Sequence, residues 1–270
     1  MTASTDEPGT GDQPDLPVPG PPSDAGTVGR DLPVPASALA IGAHPDDVEF
    51  GAGGTLAKWA AAGCVVHHLI CTDGSKGTWD PGQDPAELVA TRQVEQRDAA
   101  KALGATGEVV FLGWPDGELD SSMRQRWQVA YWIRTLTPSV VFGHDPWKRY
   151  RLHPDHRHAG LLAVEGIVAA RDPLFFPEQD VAHHRPDTLL LWEADEPDHV
   201  EDVTGHVDAK LAALRAHESQ FRSTMGVSLG DPAAESQWAA FADRIRDRLG
   251  EWGRLGGCTH GEGFKLLDRL

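Results

Sequence analysis

Residues 38–63 read ALAIGAHPDDVEFGAGGTLAKWAAAG, and their interpretation decides the fold. The apolar run 38–43 has the length and small, branched composition of a buried strand. It breaks abruptly at His44, Asp46 and Asp47. Residues 51–62 then have helical composition, and Gly63 supplies a helix stop. A strand leading through a short polar turn into a helix is the first half of a β–α–β unit. The same alternation repeats downstream. "CVVHHLICTDG" (64–74), "EVVFLGW" (108–114), "SVVFGHD" (139–145) and "DTLLLWEA" (187–194) read as strands, and "HVEDVT" (199–204) as a short edge strand. Helices are expected over 86–103 (closed by Gly104), 122–136 (stopped before Pro138), from Pro154 onward, near 207–220 and over 233–250. This order predicts an α/β fold: one Rossmann-like, doubly wound, mostly parallel sheet with helices on both faces. It spans residues 37–270, and no internal repeat of 20–50 residues is visible. Residues 1–36 are Pro/Gly/Asp-rich and poor in large apolar side chains, and are expected to form a disordered N-terminal arm.

In open sheets of this kind ligands bind beyond the carboxyl ends of the strands, at a switch in strand order. Four polar clusters follow apolar strands directly: His44-Asp46-Asp47, Thr72-Asp73, Trp114-Asp116 and His144-Asp145. All four therefore belong on one edge of the sheet, joined there by the helix-opening His153-Asp155-His156. The tripeptide His-Pro-Asp occurs twice, at 44–46 and 153–155. Unpaired charge buried at a strand end costs several kcal/mol, roughly, per ion, so these groups need partners. Histidines at 153 and 156 share one face of a first helical turn. Three N/O ligands, a spare carboxylate and a spare histidine are the inventory for metal-assisted hydrolysis. The same residues also suit a hydrogen-bonded polar network, with Asp46 shaping a turn and His153 and Asp155 capping a helix.

Composition excludes other classes. The net charge of −17 argues against a nucleic-acid partner. No run of about 18 apolar residues exists, so no membrane span is expected, and residues 1–36 lack the basic start and apolar core of a signal peptide, so none is expected there. A soluble, cytoplasmic protein is the expectation. Three cysteines without a C-x-x-C pair make disulfides and a thiolate metal site improbable. Arg outnumbers Lys 18 to 6, a skew typical of high-GC bacterial genomes. The glycines at 51–54 lack both G-x-G-x-x-G and a Walker lysine, so they are read as clearance for a helix packed close to the site.

"AHPDDVEFGAGGTLAKW" (43–59) together with "LHPDHRHAG" (152–160) resembles the LmbE/PIG-L family of zinc-dependent de-N-acetylases. The likeness extends over roughly residues 38–270, including "TDG" at 72–74, "PDGEL" at 115–119 and "KLAALRAHESQF" at 210–221. It implies a hydrolase that removes the acetyl group from an N-acetylated amino sugar or its conjugate, of N-acetylglucosamine type. Neighbouring activities on the same fold are amidases of thiol-sugar conjugates and deacetylases of antibiotics or other secondary metabolites. The rival from another class is a non-catalytic metal- or sugar-binding protein. The family pattern makes His44, Asp47 and His156 zinc ligands, and Asp46 the general base acting on metal-activated water. His153 becomes the group that stabilises the tetrahedral intermediate or protonates the amine, with Asp155 holding its ring. Two imidazoles and a carboxylate also suit Fe2+. Arg92 stands where the family has a recurring arginine near the substrate, although a surface pair with Glu95 or Gln96 would also explain it. Asp116 and His144 are further candidates for the substrate pocket. Arg151 occupies a position where some members acting on thiol-linked amino sugars carry a tyrosine. A small-molecule amino-sugar substrate is the implied partner, and a homo-oligomer is compatible with the resemblance.

Overall fold

The computed structural model describes residues 28–270. The strands among them are β1 (Gly29–Arg30), β2 (Ser37–Gly42), β3 (Val65–Thr72), β4 (Val109–Trp114), β5 (Val140–His144), β6 (Thr188–Trp192), β7 (His199–Asp202) and β8 (Gly261–Asp268). The helices are α1 (Asp47–Ala61), α2 (Pro85–Ala102), α3 (Met123–Leu136), α4 (Pro154–Arg171), α5 (Val207–Arg215) and α6 (Ala234–Gly256). One sheet runs in the order β1-β7-β8-β6-β5-β2-β3-β4. Every pairing is parallel except those of β8 with β6 and β7. The chain leaves β2 toward β3 on one side, while β5 lies on the other. The switch in strand order therefore falls at the carboxyl end of β2, where the HPDD turn begins.

The central strands are apolar on both sides because both faces are covered. Leu39, Ile41, Leu69 and Val141 pack with Ile133 of α3 and Leu162 and Ile167 of α4 on one face. Ala38, Ala40, Ile70 and Phe142 pack with Val48, Leu56 and Trp59 of α1 on the other. Gly51 is placed by close approach. A Cβ there would lie 2.4 Å from the Trp192 ring, so glycine lets α1 rest on the end of β6. Among the described residues no helix is long and apolar enough to cross a membrane.

Four details differ from the sequence reading. Helix α1 starts at Asp47 and not near residue 51, which puts Asp47 and Glu49 in the first turn, where the helix dipole favours negative charge. The expected helix over 207–220 ends at Arg215 and continues as a 3-10 turn (Glu218–Gln220) and a π turn (Phe221–Met225). Strand β7 is no edge strand, because β1 and β8 flank it. Strand β8 was not anticipated at all. Its Glu262 is buried, which only makes sense once Gly54 N, Thr55 N and Oγ1 and Lys210 Nζ are seen to bond it. The N-terminal arm expected over 1–36 lies outside the described residues for 1–27. Residues 28–36 are placed: β1 pairs with β7, Arg30 bonds Asp202 at 2.7 Å, and Leu32 N donates to Glu201 at 2.8 Å.

Candidate active site

The strand ends converge as the switch-point rule requires. Thr72 N and Oγ1 both donate to Ala43 O at 2.8 Å, tying the end of β3 to the turn after β2. Asp73 N bonds Trp114 O, and Asp116 N bonds Asp73 Oδ1 at 3.0 Å, adding the end of β4. Asp145 N bonds Trp192 O, joining β5 to β6. The first turn of α4 faces this floor. His44, Asp46, Asp47, Asp116, His144 and Asp155 are all buried, while His153 is exposed at the mouth, its ring centroid 4.6 Å from that of His44.

Three overlapping sets of side chains bring donor atoms within 4.8 Å of one another: His44/Asp47/His156, His44/Asp116/His153 and His144/His156/Glu193. Hydrogen bonding separates them. His44 Nε2 is 3.1 Å from Asp155 Oδ2 and 3.2 Å from Asp116 Oδ1, so its proton belongs there. The lone pair left on Nδ1 looks toward Asp47, 3.3 Å away. This excludes the set that relies on His44 Nε2. Trp192 Nε1, which can only donate, bonds His144 Nδ1 at 3.0 Å. The His144 proton then sits on Nε2, 3.3 Å from Asp47 Oδ2, and the ring has no lone pair to offer. Asp47 Oδ2 also accepts His44 N at 2.7 Å. That leaves Asp47 Oδ1, which faces His156 Nε2 at 3.4 Å. The set His44 Nδ1, Asp47 Oδ1 and His156 Nε2 is thus the one that fits a divalent cation. His44 and Asp47 have outer partners that fix their orientation, as such sites require. His156 adds one condition: Arg151 Nη1 lies 3.2 Å from its Nδ1. For Nε2 to offer its lone pair the proton must move to Nδ1 and the guanidinium must turn away. The same Nη1 donates to Glu193 Oε2 at 2.8 Å.

The electrostatics suit this division. Burial pushes the His156 ring down to about 3, so it is a neutral imidazole near neutral pH. Burial opposes ionisation of Asp47, but His156, His144 and His44 outweigh it and hold its carboxyl well below the usual carboxylate range. Asp46 goes the other way. Burial pushes it up to about 6, Asp47 beside it adds to the rise, and Arg92 offsets part of it. Neighbouring carboxyls with opposite shifts are the mark of two different tasks. For His153, burial and the adjacent His44 lower the pKa.

The structure assigns other predicted residues different partners from those expected. Asp155 does not hold His153. Its Oδ2 binds His44 and Gly117 N, and its Oδ1 accepts from Leu119 N. Residues two apart on a first helical turn do not face each other, so its carboxylate reaches the His44 ring and the β4 loop instead. Arg92 is no surface residue. It is buried, donates to Pro45 O at 2.6 Å and Gly74 O at 2.8 Å, and lies 3.7 Å from Asp46 Oδ2. His144 stands behind Asp47, its Nδ1 accepting from Trp192 Nε1 and its Nε2 3.3 Å from Asp47 Oδ2. Asp116 is drawn in by His44 and accepts from Lys76 N. Trp192 and Glu193 were not singled out from sequence, yet Glu193 directly follows an apolar strand like the four clusters that were. Replacing Trp192 with Phe removes the donor that fixes the His144 tautomer. Affinity for the metal is expected to fall about 10-fold, read by competition with a chromophoric chelator.

A buried His/Asp cluster able to hold a metal thus lies at the switch point of a doubly wound α/β sheet. A sequence profile of the PIG-L family, GlcNAc-PI de-N-acetylase, matches residues 39–167. A diacetylchitobiose deacetylase of Thermococcus kodakarensis is 32% identical over 235 residues, covering 86% of this chain and 83% of its own. A 1D-myo-inositol 2-acetamido-2-deoxy-alpha-D-glucopyranoside deacetylase of Mycolicibacterium vanbaalenii is 29% identical, with 68% of this chain and 81% of its own covered. Among solved structures, the N,N'-diacetylchitobiose deacetylase of Pyrococcus horikoshii superposes with a TM-score of 0.76 at 31% identity, over 87% of this chain and 84% of its own. The chain belongs to the PIG-L family.

Proposed function

We propose that the protein is a zinc-dependent N-deacetylase that releases acetate from an N-acetylated amino sugar or sugar conjugate of the N-acetylglucosamine type. The observation that carries this reading is geometric: His44, Asp47 and His156 bring donor atoms within 4.8 Å of one another, and a second buried carboxyl, Asp46, adjoins them without belonging to that set. His44, Asp47 and His156 would hold the metal. When bound, it supplies a Lewis acid for the acetamide carbonyl and acidifies water. Asp46 takes the proton from the attacking water. His153, exposed at the mouth, would donate a hydrogen bond to the developing oxyanion or relay to the leaving amine the proton that Asp46 has taken up. Water adds at the acetyl carbon, the C–N bond breaks, and acetate and the free amino sugar leave. A cavity of about 980 Å³ adjoins Asp47 and His144 and extends under α6, past Phe50, Phe241 and Trp252. That is room for a conjugate larger than one sugar ring.

The test is amine and acetate release from N-acetylglucosamine, N,N'-diacetylchitobiose and 1D-myo-inositol 2-acetamido-2-deoxy-alpha-D-glucopyranoside by metal-loaded protein. Chelation is expected to abolish release, and added Zn2+ to restore it. Loss of a metal present at 100 times its Kd should also remove about 2.7 kcal/mol of stability, read as a lower Tm. Metal-loaded protein that frees no amine from any of the three sugars would sink the proposal.

A further inference from the structure

Asp46 has φ 103, in the left-handed region, where a residue with a side chain persists only if its surroundings fix it. Three groups do so. Arg92 holds the preceding carbonyl of Pro45 at 2.6 Å. The Asp46 carbonyl accepts Phe50 N at 3.0 Å. The Asp46 N–H donates to the side-chain oxygen of Gln96 at 3.0 Å. Arg92 and Gln96 are four residues apart on α2 and so share a face.

A side-chain amide can present either end, and Glu49 decides which. Gln96 Nε2 donates to Glu49 Oε1 at 2.7 Å, and Glu49 Oε2 lies 3.2 Å from His217 Nε2. A carboxylate only accepts, so the NH2 end of Gln96 must face Glu49 and the carbonyl end must face Asp46. Gln96, Glu49 and His217 are each fully enclosed, none touches the proposed metal ligands, and none faces the open side of the site. A buried carboxylate and imidazole are costly to keep and add nothing to the apolar core.

We propose that Gln96 is a positioning residue for Asp46, with its amide oriented by Glu49 and His217, so that the turn keeps the Asp46 carboxylate aimed at the attacking water. The proposal rests on the reading of Asp46 as the base. It predicts a cost in kcat and none in metal binding or substrate affinity.

The experiment uses metal-loaded, full-length protein and amine release. Gln96→Leu is expected to lower kcat about 10–100-fold, the usual effect of losing an outer orienting partner, with KM and metal content unchanged. Gln96→Glu alone sets two carboxylates against each other and should be as poor. Gln96 Nε2 also lies 3.1 Å from His68 Nδ1, and in the double variant E49Q/Q96E the chain of hydrogen bonds closes again once the His68 ring carries its proton on Nδ1. The new carboxylate at 96 accepts from Asp46 N–H, and the new amide at 49 donates to it and accepts from His217. Its kcat is expected to recover above that of Gln96→Glu. Wild-type kcat in Gln96→Leu, activity lost only in proportion to metal, or no recovery in the double variant would each overturn the proposal. If Gln96→Leu does not fold, the comparison of Gln96→Glu with the double variant decides alone. If Asp46→Asn itself keeps full turnover, the base assignment fails; if only the Gln96 variants do, the positioning role fails and the base stands.

Discussion

Asp46→Asn is expected to lower kcat by about 10²–10⁴-fold, the range that a positioned general base contributes, while the protein keeps its metal. The substitution is nearly isosteric and leaves the backbone contacts intact: Asp46 N to Gln96, and Arg92 to Pro45 O. It removes the ability to accept a proton, together with the negative charge that faces Arg92 at 3.7 Å. A carboxyl pushed up to about 6 can take a proton near neutral pH and give it back, whereas one in the ordinary range is a weaker base. His44, Asp47 and His156 keep their donor atoms, so metal analysis should match the wild type. Wild-type turnover in a metal-replete Asp46→Asn variant would show that another group takes the proton.

Much of this was readable from sequence, for a physical reason. Strands β2, β3 and β5 are buried on both faces and so appear as apolar runs, the half-buried edge strand β4 is apolar as well, and each run breaks at a charged residue on the same sheet edge. His44, Asp46, Asp47, Asp116 and His144 were found by that break alone. Glu193 obeys the same rule after β6, and was missed because the strand was read through it. Strand β8 escaped because its pattern, GEGFKLLD, hides a buried Glu262 whose partners lie on α1 and α5. Side-chain pairing across the site was equally hidden. Nothing local shows that Asp155 serves His44 and not His153, since that depends on how α4 docks against the β4 loop. In the sequence Gln96 and His217 fall inside stretches read as ordinary helix, with nothing to mark them. They become functional candidates only when α2 and the turn after α5 meet beneath Asp46.

Asp47→Asn should act in the opposite way to its neighbour's substitution. It is expected to weaken metal binding by more than about 100-fold, beyond the upper range for outer partners of a metal site. The cause is the division of labour between the two carboxylate oxygens. Oδ2 accepts from His44 N at 2.7 Å and lies 3.3 Å from the His144 Nε2 that carries a proton. Only an oxygen can occupy that place, so an amide introduced at 47 must point its carbonyl there. Its NH2 group then takes the position of Oδ1, opposite His156 Nε2, where a ligand lone pair is needed and the amide nitrogen has none to give. The reverse orientation restores an oxygen to the cation but sets NH2 against two donors in a buried site, which costs about 1–3 kcal/mol for each polar group left unpaired. Asp47→Asn should therefore purify folded but metal-poor, and regain turnover only at high Zn2+. Metal content by elemental analysis, with kcat followed across a Zn2+ titration, separates the two aspartates. If Asp47→Asn bound metal as tightly as wild type, the cation would have to be held by His144 or Asp116, and the tautomers set by Trp192 and Asp155 would have been misread.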